Sequence, residues 1–167
     1  MKLASLLGVV CLSAAAMAQD VTFNYDRSAN FGSYRTYQWA ESQNGNQLMD
    51  QNIKQSIDAQ LALKGLRRVE SGADLKVGYQ VATEKEKQFD GWGSGPRFYG
   101  NARVTTSTIE IGKIAVEMTD SAQNRTVWRG MMQKTLDIKK NPDKNFQNLQ
   151  KAMAKLFKNY PPEAGKS

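Results

Sequence analysis

Residues 108–136 read TIEIGKIAVEMTDSAQNRTVWRGMMQKTL, and this stretch determines how the rest of the chain must fold. Two runs rich in β-branched and apolar residues flank a short polar segment, which is the pattern of a β-hairpin. In the first run Ile114, Val116 and Met118 alternate with more polar residues, so one face of the strand can be buried. The hairpin therefore needs further strands beside it and a layer that covers this face.

The apolar positions of the first run change parity at Gly112. Upstream of it, Ile109 and Ile111 occupy positions that would face the opposite side of the sheet from Ile114. One extra residue in a strand can return such a pattern to a single face, so we predict a β-bulge at Gly112.

Three other segments alternate between apolar and polar residues and are predicted to be strands: residues 21–25, 35–39 and 74–83. The third has the clearest alternation, with Leu75, Val77, Tyr79 and Val81 on one side. It continues into the charged run 84–87, so we expect this strand to project beyond the core and to carry charges that oppose edge-to-edge pairing.

Two segments have the periodicity of amphipathic helices. Residues 48–64 carry an apolar stripe and end at Gly65, which suits the left-handed position after a helix. The stripe consists of Met49, Ile53, Ile57 and Leu61. The second helix begins with Asn141 as its N-cap and Pro142 as its first residue, and the prolines at 161 and 162 end it. We predict an α+β fold: an antiparallel-rich sheet of about five strands with two amphipathic helices packed on one face.

The N-terminus has the features of a cleaved signal peptide. Lys2 precedes an apolar stretch, and residues 16–18 form an A-x-A cleavage site. We expect residues 1–18 to be removed, residues 19–162 to form a single α+β domain and residues 163–167 to be a flexible tail. Two alternatives stay open: an uncleaved N-terminal anchor, and lipidation of Cys11, before which Val10 stands where a small residue is wanted.

The predicted mature chain contains neither cysteine nor histidine, because Cys11 leaves with the signal peptide and the whole sequence has no His. These absences exclude a disulfide, a Ser-His-Asp triad, a cysteine nucleophile and a usual zinc site. We therefore predict no catalytic residue, no metal and no cofactor. Chemistry that uses two carboxylates needs only Asp and Glu and stays open.

Several motifs, in order along the mature chain, resemble the bacterial family called domain of unknown function 4136. They are Phe23-x-Tyr-Asp-x-Ser-Ala-x-Phe-x-Ser-Tyr-x-Thr-Tyr-x-Trp39, Leu61-x-x-Lys-Gly-Leu-Arg-Arg-Val69, Asp74-Leu-x-Val77, Thr119-Asp120, Val127-Trp-Arg-Gly130 and Tyr160-Pro-Pro162. The resemblance implies an envelope protein, since its members are envelope proteins and many are lipoproteins. It transfers no catalytic residues, and the missing lipidation motif means that membrane anchorage is not carried over.

Residues 89–103 combine four glycines and a proline with aromatic and basic side chains. A loop of this length and composition suits ligand binding, for which the candidate residues are Trp92, Arg97, Phe98, Tyr99 and Arg103. The structural alternative is a long hairpin connection whose aromatic side chains cover the end of the sheet. In the functional case, a cleft under this loop would make the protein a small-ligand carrier or a carboxylate-dependent hydrolase.

Positive charge is concentrated in the last quarter of the chain. Of the +6 that remains after residues 1–18 are removed, all lies in residues 129–167, which hold 9 basic and 3 acidic residues. The side of the second helix away from its apolar stripe carries Lys144, Lys151, Lys155 and Lys158. These lysines are either an ordinary solvated helix face or a surface that docks on lipid phosphates or lipopolysaccharide.

The sequence thus predicts an exported envelope protein, periplasmic or secreted or peripheral to the outer membrane, that acts as a non-enzymatic binding or scaffolding module. We expect no nucleic-acid partner, because the chain is exported and the lysine stripe lacks interleaved aromatic residues. We expect no transmembrane segment in the mature chain, and the sequence sets no oligomeric state.

Overall fold

Six strands and two α-helices make up the parts of the chain that the computed structural model describes, residues 20–40, 47–91, 104–135 and 141–162. The strands are β1 (Asp20–Tyr25), β2 (Thr36–Trp39), β3 (Arg67–Arg68), β4 (Leu75–Gly91), β5 (Val104–Asp120) and β6 (Arg125–Thr135). The helices are α1 (Gln47–Leu63), between β2 and β3, and α2 (Pro142–Phe157), after β6. The predicted signal peptide and tail lie outside the described residues.

All six strands form one sheet in the order β1-β6-β5-β4-β2-β3. The pairs β1/β6, β6/β5 and β5/β4 are antiparallel, whereas β2 is parallel to both β4 and β3. The crossover through α1 makes this parallel pairing possible, because two parallel strands need a long connection. The predicted α+β fold is confirmed, with a sheet that is mixed and that gains the two-residue strand β3.

The core lies between one face of the sheet and both helices, as predicted. The sheet contributes the buried residues Tyr37, Leu75, Val77, Tyr79, Val116, Met118, Trp128 and Met132. The helices contribute Ile53, Ile57, Leu61, Ala152, Met153, Leu156 and Phe157. Met49, predicted to belong to the apolar stripe of α1, is 49% exposed instead, because it lies in the first turn of the helix, where the core ends.

Both helix boundaries follow the local chemistry of the sequence. Gly65 has a φ of 80°, and its N–H donates to the carbonyl of Ala62 at 3.0 Å. The N–H of Leu66 donates to the carbonyl of Leu61, also at 3.0 Å, which completes a Schellman motif. At the start of α2 the side chain of Asn141 accepts the N–H of Asp143 at 2.7 Å, as expected of an N-cap.

The predicted bulge at Gly112 is wrong. Gly112 pairs in regular register with Thr83 on one side and Lys134 on the other. Burial on this strand is complete at Val116 and Met118 and only partial at Ile111 and Ile114, so the change of parity occurs where the strand is no longer fully buried. The register shift lies between Met118 and Thr119, where β6 contains one extra residue, Val127.

Trp128 and Gly130 share the core face of β6, two residues apart. The ring of Trp128 is fully buried and stacks on Phe157, with ring centroids 5.4 Å apart. It also lies across Gly130, where a β-carbon would sit within 2.9 Å of the ring atom Cζ2. The Trp-Arg-Gly motif is therefore a packing unit in which the glycine makes room for the tryptophan.

The hairpin of β4 and β5 projects past the rest of the sheet. Its register runs from Leu75 opposite Asp120 to Gly91 opposite Val104, whereas β6 ends at Thr135, opposite Ile111. Residues 85–91 and 104–110 therefore pair as a two-stranded ribbon about 23 Å long, beyond the last strand that flanks them in the described part of the chain. The predicted projection of β4 beyond the core is confirmed.

Candidate functional site

The candidate ligand-binding residues Trp92, Arg97, Phe98, Tyr99 and Arg103 lie outside the residues that the structure describes. They belong to residues 92–103, which connect Gly91 in β4 to Val104 in β5, the last residue pair of the ribbon. A ligand-binding role for these side chains stays a prediction.

The four predicted lysines of the basic surface lie on one side of α2, and all are exposed. They are Lys144, Lys151, Lys155 and Lys158. Their spacing of seven, four and three residues places them within about 60° of arc, because an α-helix turns about 100° per residue. The buried residues of α2, which include Met153 and Leu156, lie on the opposite side. We call these four residues the lysine stripe.

A shallow groove of about 440 Å³ separates the C-terminal parts of the two helices. Its lining residues are Gln60, Leu63 and Lys64 from the end of α1, and Ala154, Lys155, Phe157 and Lys158 from α2. The groove therefore adds a fifth lysine, Lys64, to one end of the lysine stripe. This residue could not be predicted from the sequence, because no local pattern indicates which turns of two separate helices become neighbours.

The negative ends of the two helix dipoles offset part of the positive charge at this groove. Each helix C-terminus carries about half a negative charge, so Lys64, Lys155 and Lys158 stabilise the ends of α1 and α2. Two such ends offset about one of the three positive charges. Within the described ranges none of these lysines has a carboxylate partner within 4.0 Å, so the groove keeps a net positive charge.

Two carboxylates of α1 hold the helix on the sheet. Asp58 accepts hydrogen bonds from the hydroxyl of Tyr37 at 2.6 Å and from Nε1 of Trp39 at 3.1 Å. Asp50 accepts the hydroxyl of Tyr79 and pairs with Lys54 at 3.0 Å. Burial raises the pKa of Tyr37, and its hydrogen bond to Asp58 raises that pKa further, so the phenol is a hydrogen-bond donor at neutral pH.

The same two carboxylates are too far apart for paired acid–base chemistry. Asp50 and Asp58 are eight residues apart on one helix, about 12 Å at 1.5 Å per residue. Glycoside hydrolases hold their two carboxyl groups about 5 to 9.5 Å apart. Since both groups also accept hydrogen bonds from the sheet, we assign them to the docking of α1.

A third carboxylate, Asp120, joins the ends of the hairpin strands to the N-terminal segment. Its Oδ2 accepts the hydroxyl of Tyr34 at 2.8 Å, and its Oδ1 accepts the N–H groups of Ala122 and Gln123, both at 2.8 Å. These hydrogen bonds, above all the one from Gln123, hold the pKa of Asp120 below its usual value. Burial and the contact with Asp120 raise the pKa of Tyr34 to about 12. The arrangement fixes the turn rather than opening onto a reactive cleft.

Neither a metal-binding cluster nor a membrane-spanning helix lies within the described ranges. No group of three or more His, Cys, Asp or Glu side chains in them could hold a metal ion. No helix in them is long and apolar enough to cross a membrane.

A mixed six-stranded sheet with two helices on one face, and a groove lined by three lysines between the C-terminal ends of those helices, defines an α+β protein. The model of the family "Domain of unknown function (DUF4136)" matches residues 21–162, so the chain belongs to that family. The resemblance that the motifs indicated is confirmed. No curated protein matches the chain.

Solved structures share this fold at low sequence identity. A PDZ domain protein from Parabacteroides distasonis ATCC 8503 aligns with a TM-score of 0.61 and 13% identity over 87% of this chain. The chain spans 36% of the length of that protein. The PelC dodecamer from Paraburkholderia phytofirmans aligns with a TM-score of 0.53 and 9% identity, over 84% of this chain and 96% of that one. These likenesses show the fold alone.

Proposed function

We propose that the protein is an exported component of the bacterial envelope, periplasmic or secreted, that binds anionic envelope surfaces through α2 and carries out no catalysis. The signal-peptide pattern of residues 1–18 and the family membership support the location. The observation that carries the binding role is the lysine stripe: four exposed lysines on one side of a helix whose other side is buried.

Electrostatics gives the expected strength of this binding. A lysine near an anionic membrane contributes about 1 kcal/mol, and the contribution falls off within a Debye length. Lys151, Lys155 and Lys158 together therefore supply about 3 kcal/mol of binding free energy, or roughly a hundredfold in affinity. An ordinary solvated helix face with the same charges would show no such dependence on particular positions.

Co-sedimentation of the mature protein with vesicles tests the proposal. Vesicles that contain phosphatidylglycerol or lipopolysaccharide should bind the protein at low salt, and neutral phosphatidylcholine vesicles should not. The Lys151→Gln, Lys155→Gln, Lys158→Gln triple variant should bind the anionic vesicles roughly a hundredfold more weakly. Its thermal stability should fall only slightly, because exposed charges contribute little to folding and the loss is limited to the favourable interaction of Lys155 and Lys158 with the end of α2.

A matched control separates position from net charge. Lys76, Lys85 and Lys87 are exposed and lie on β4, away from α2. Changing all three to Gln removes the same number of positive charges, and this variant should bind like the parent. Equal losses in both triple variants would reduce the effect to net charge, and unchanged binding in the α2 variant would contradict the proposal.

Binding of a small ligand under residues 89–103 remains the alternative that the sequence offers. The vesicle experiment also bears on it, because absence of binding to every anionic vesicle would move the search to Trp92, Arg97, Phe98, Tyr99 and Arg103.

A further inference from the structure

We propose that Leu63 is an apolar membrane anchor that enters the headgroup region of an anionic bilayer, while the lysines beside it hold lipid phosphates. This inference rests on the proposed function and specifies which end of α2 meets the membrane. It makes the groove between the C-terminal ends of α1 and α2 the centre of the docking surface.

Leu63 is unusually exposed for a large apolar side chain. It is 78% exposed, the highest value among the large apolar side chains in the described ranges. It follows the fully buried Leu61 by two residues, a rotation of about 200° around the helix, so it points away from the sheet. The lysine stripe faces away from the sheet too, and Leu63 shares the groove with Lys64, Lys155 and Lys158.

Among the described residues, Leu63 takes no part in the hydrophobic core. The apolar contact that closes the end of α1 falls to Leu66, which is 6% exposed and whose N–H reaches the carbonyl of Leu61. Leucine at position 63 therefore adds exposed apolar surface, where a polar residue would serve the helix equally well.

A bilayer is the occupant that satisfies both features of this surface. The lysines of the groove are complementary to phosphate, and they have no carboxylate partner within the described residues. A soluble phosphate would use the lysines and leave Leu63 in water. An interfacial helix buries its apolar side chains about 5 to 10 Å into the boundary between headgroups and acyl chains, while its basic side chains are attracted to anionic lipids.

The anchor is tested with Leu63→Gln and with Leu48→Gln as its matched control. Leu48 is 69% exposed and belongs to the same helix, about 22 Å away at the other end. On vesicles of phosphatidylglycerol and phosphatidylcholine, Leu63→Gln should lower the affinity roughly tenfold to a hundredfold, as expected when one leucine loses its apolar environment. The fraction that stays bound in 1 M salt should fall most, because salt screens the lysines and not the apolar contact. Leu48→Gln should bind like the parent.

A fluorescent probe reports insertion directly. The predicted mature chain has no cysteine, so Leu63→Cys and Leu48→Cys each provide a single labelling site. A polarity-sensitive dye at position 63 should shift to shorter wavelength on anionic vesicles, and a dye at position 48 should not. Inorganic phosphate should produce no shift at either position.

The outcomes separate this inference from the proposed function. If the lysine triple variant loses binding while Leu63→Gln binds like the parent and its dye does not shift, the anchor is refuted and the basic docking surface stands. If the parent protein does not bind anionic vesicles, both fail. A dye shift with inorganic phosphate alone would also overturn the anchor, because it would show that the groove responds to a soluble anion.

Discussion

Replacing Gly130 with alanine should destabilise the protein, although alanine is normally the better residue within a strand. A β-carbon at position 130 would lie 2.9 Å from Cζ2 of Trp128 and 2.8 Å from Cδ1 of Leu156, and closer still to Cη2 of the same ring. Overpacking of this kind costs about 1–3 kcal/mol, and the ring has little room to move because it is fully buried against Phe157 and Tyr160. Relief of the glycine's conformational entropy returns about 0.5–1 kcal/mol. Three atoms would lie within 3.0 Å of the new β-carbon, so the cost should be near the upper end of its range, and the expected net loss is about 2 kcal/mol.

Chemical denaturation of the mature protein measures this loss, with Gly78→Ala as a matched control. Gly78 lies in β4, and a β-carbon there would meet the β-carbon of Ala40 at 3.6 Å, an ordinary contact. Gly78→Ala should therefore be neutral or stabilising by up to about 1 kcal/mol. In thermal unfolding, the same loss should appear for Gly130→Ala as a Tm lower by roughly 6 °C for a domain of this size.

The packing of Trp128 over Gly130 is refuted if the two alanine variants are equally stable. Partial rescue gives a second check: Trp128→Phe should cost less in the Gly130→Ala background than in the parent, because the smaller ring leaves space for the new methyl group. Additive effects would place the ring elsewhere.

Two more predictions concern the same end of the molecule. Trp128→Ala should cost about 3–5 kcal/mol in denaturant unfolding, because a fully buried indole is removed; an equally stable variant would contradict its core position. The hydrogen bonds from Gln123 and Tyr34 lower the pKa of Asp120 in the folded state, so their stabilisation is present above about pH 4 and is lost as the pH falls through the folded pKa. Unfolding curves at pH 7 and pH 3 should differ less for Asp120→Asn than for the parent, and equal differences would contradict this role.

Local chemistry made much of the fold predictable from the sequence. The alternation of Leu75, Val77 and Tyr79 gave the buried face of β4, and all three are buried. Gly65 and Asn141 marked helix boundaries because each makes its capping hydrogen bond to a residue within three positions along the chain. Such capping signals depend only on residues within a single turn, so they do not depend on how distant parts of the chain pack.

The features that the sequence did not reveal depend on distant parts of the chain. The strand β3 consists of Arg67 and Arg68, which have no strand pattern and pair only because β2 runs alongside them. Lys64 joins the lysine stripe only through the packing of α1 against α2. The bulge at Val127 was misplaced to Gly112 because the change of apolar parity in β5 is not accompanied by a change of register.

Residues 84–87 of β4, where the strand begins to project, alternate between glutamate and lysine, and this alternation limits how two copies of the chain could pair through that edge. Glu84 and Glu86 face one side of the sheet, and Lys85 and Lys87 face the other, because neighbouring residues of a strand alternate. A second copy that pairs antiparallel with this edge about a twofold axis must place residues of equal parity opposite each other. Every such register over this run sets glutamate against glutamate or lysine against lysine. We therefore expect like charges, above all at Glu86 and Lys87, to oppose the pairing of two copies at this strand edge.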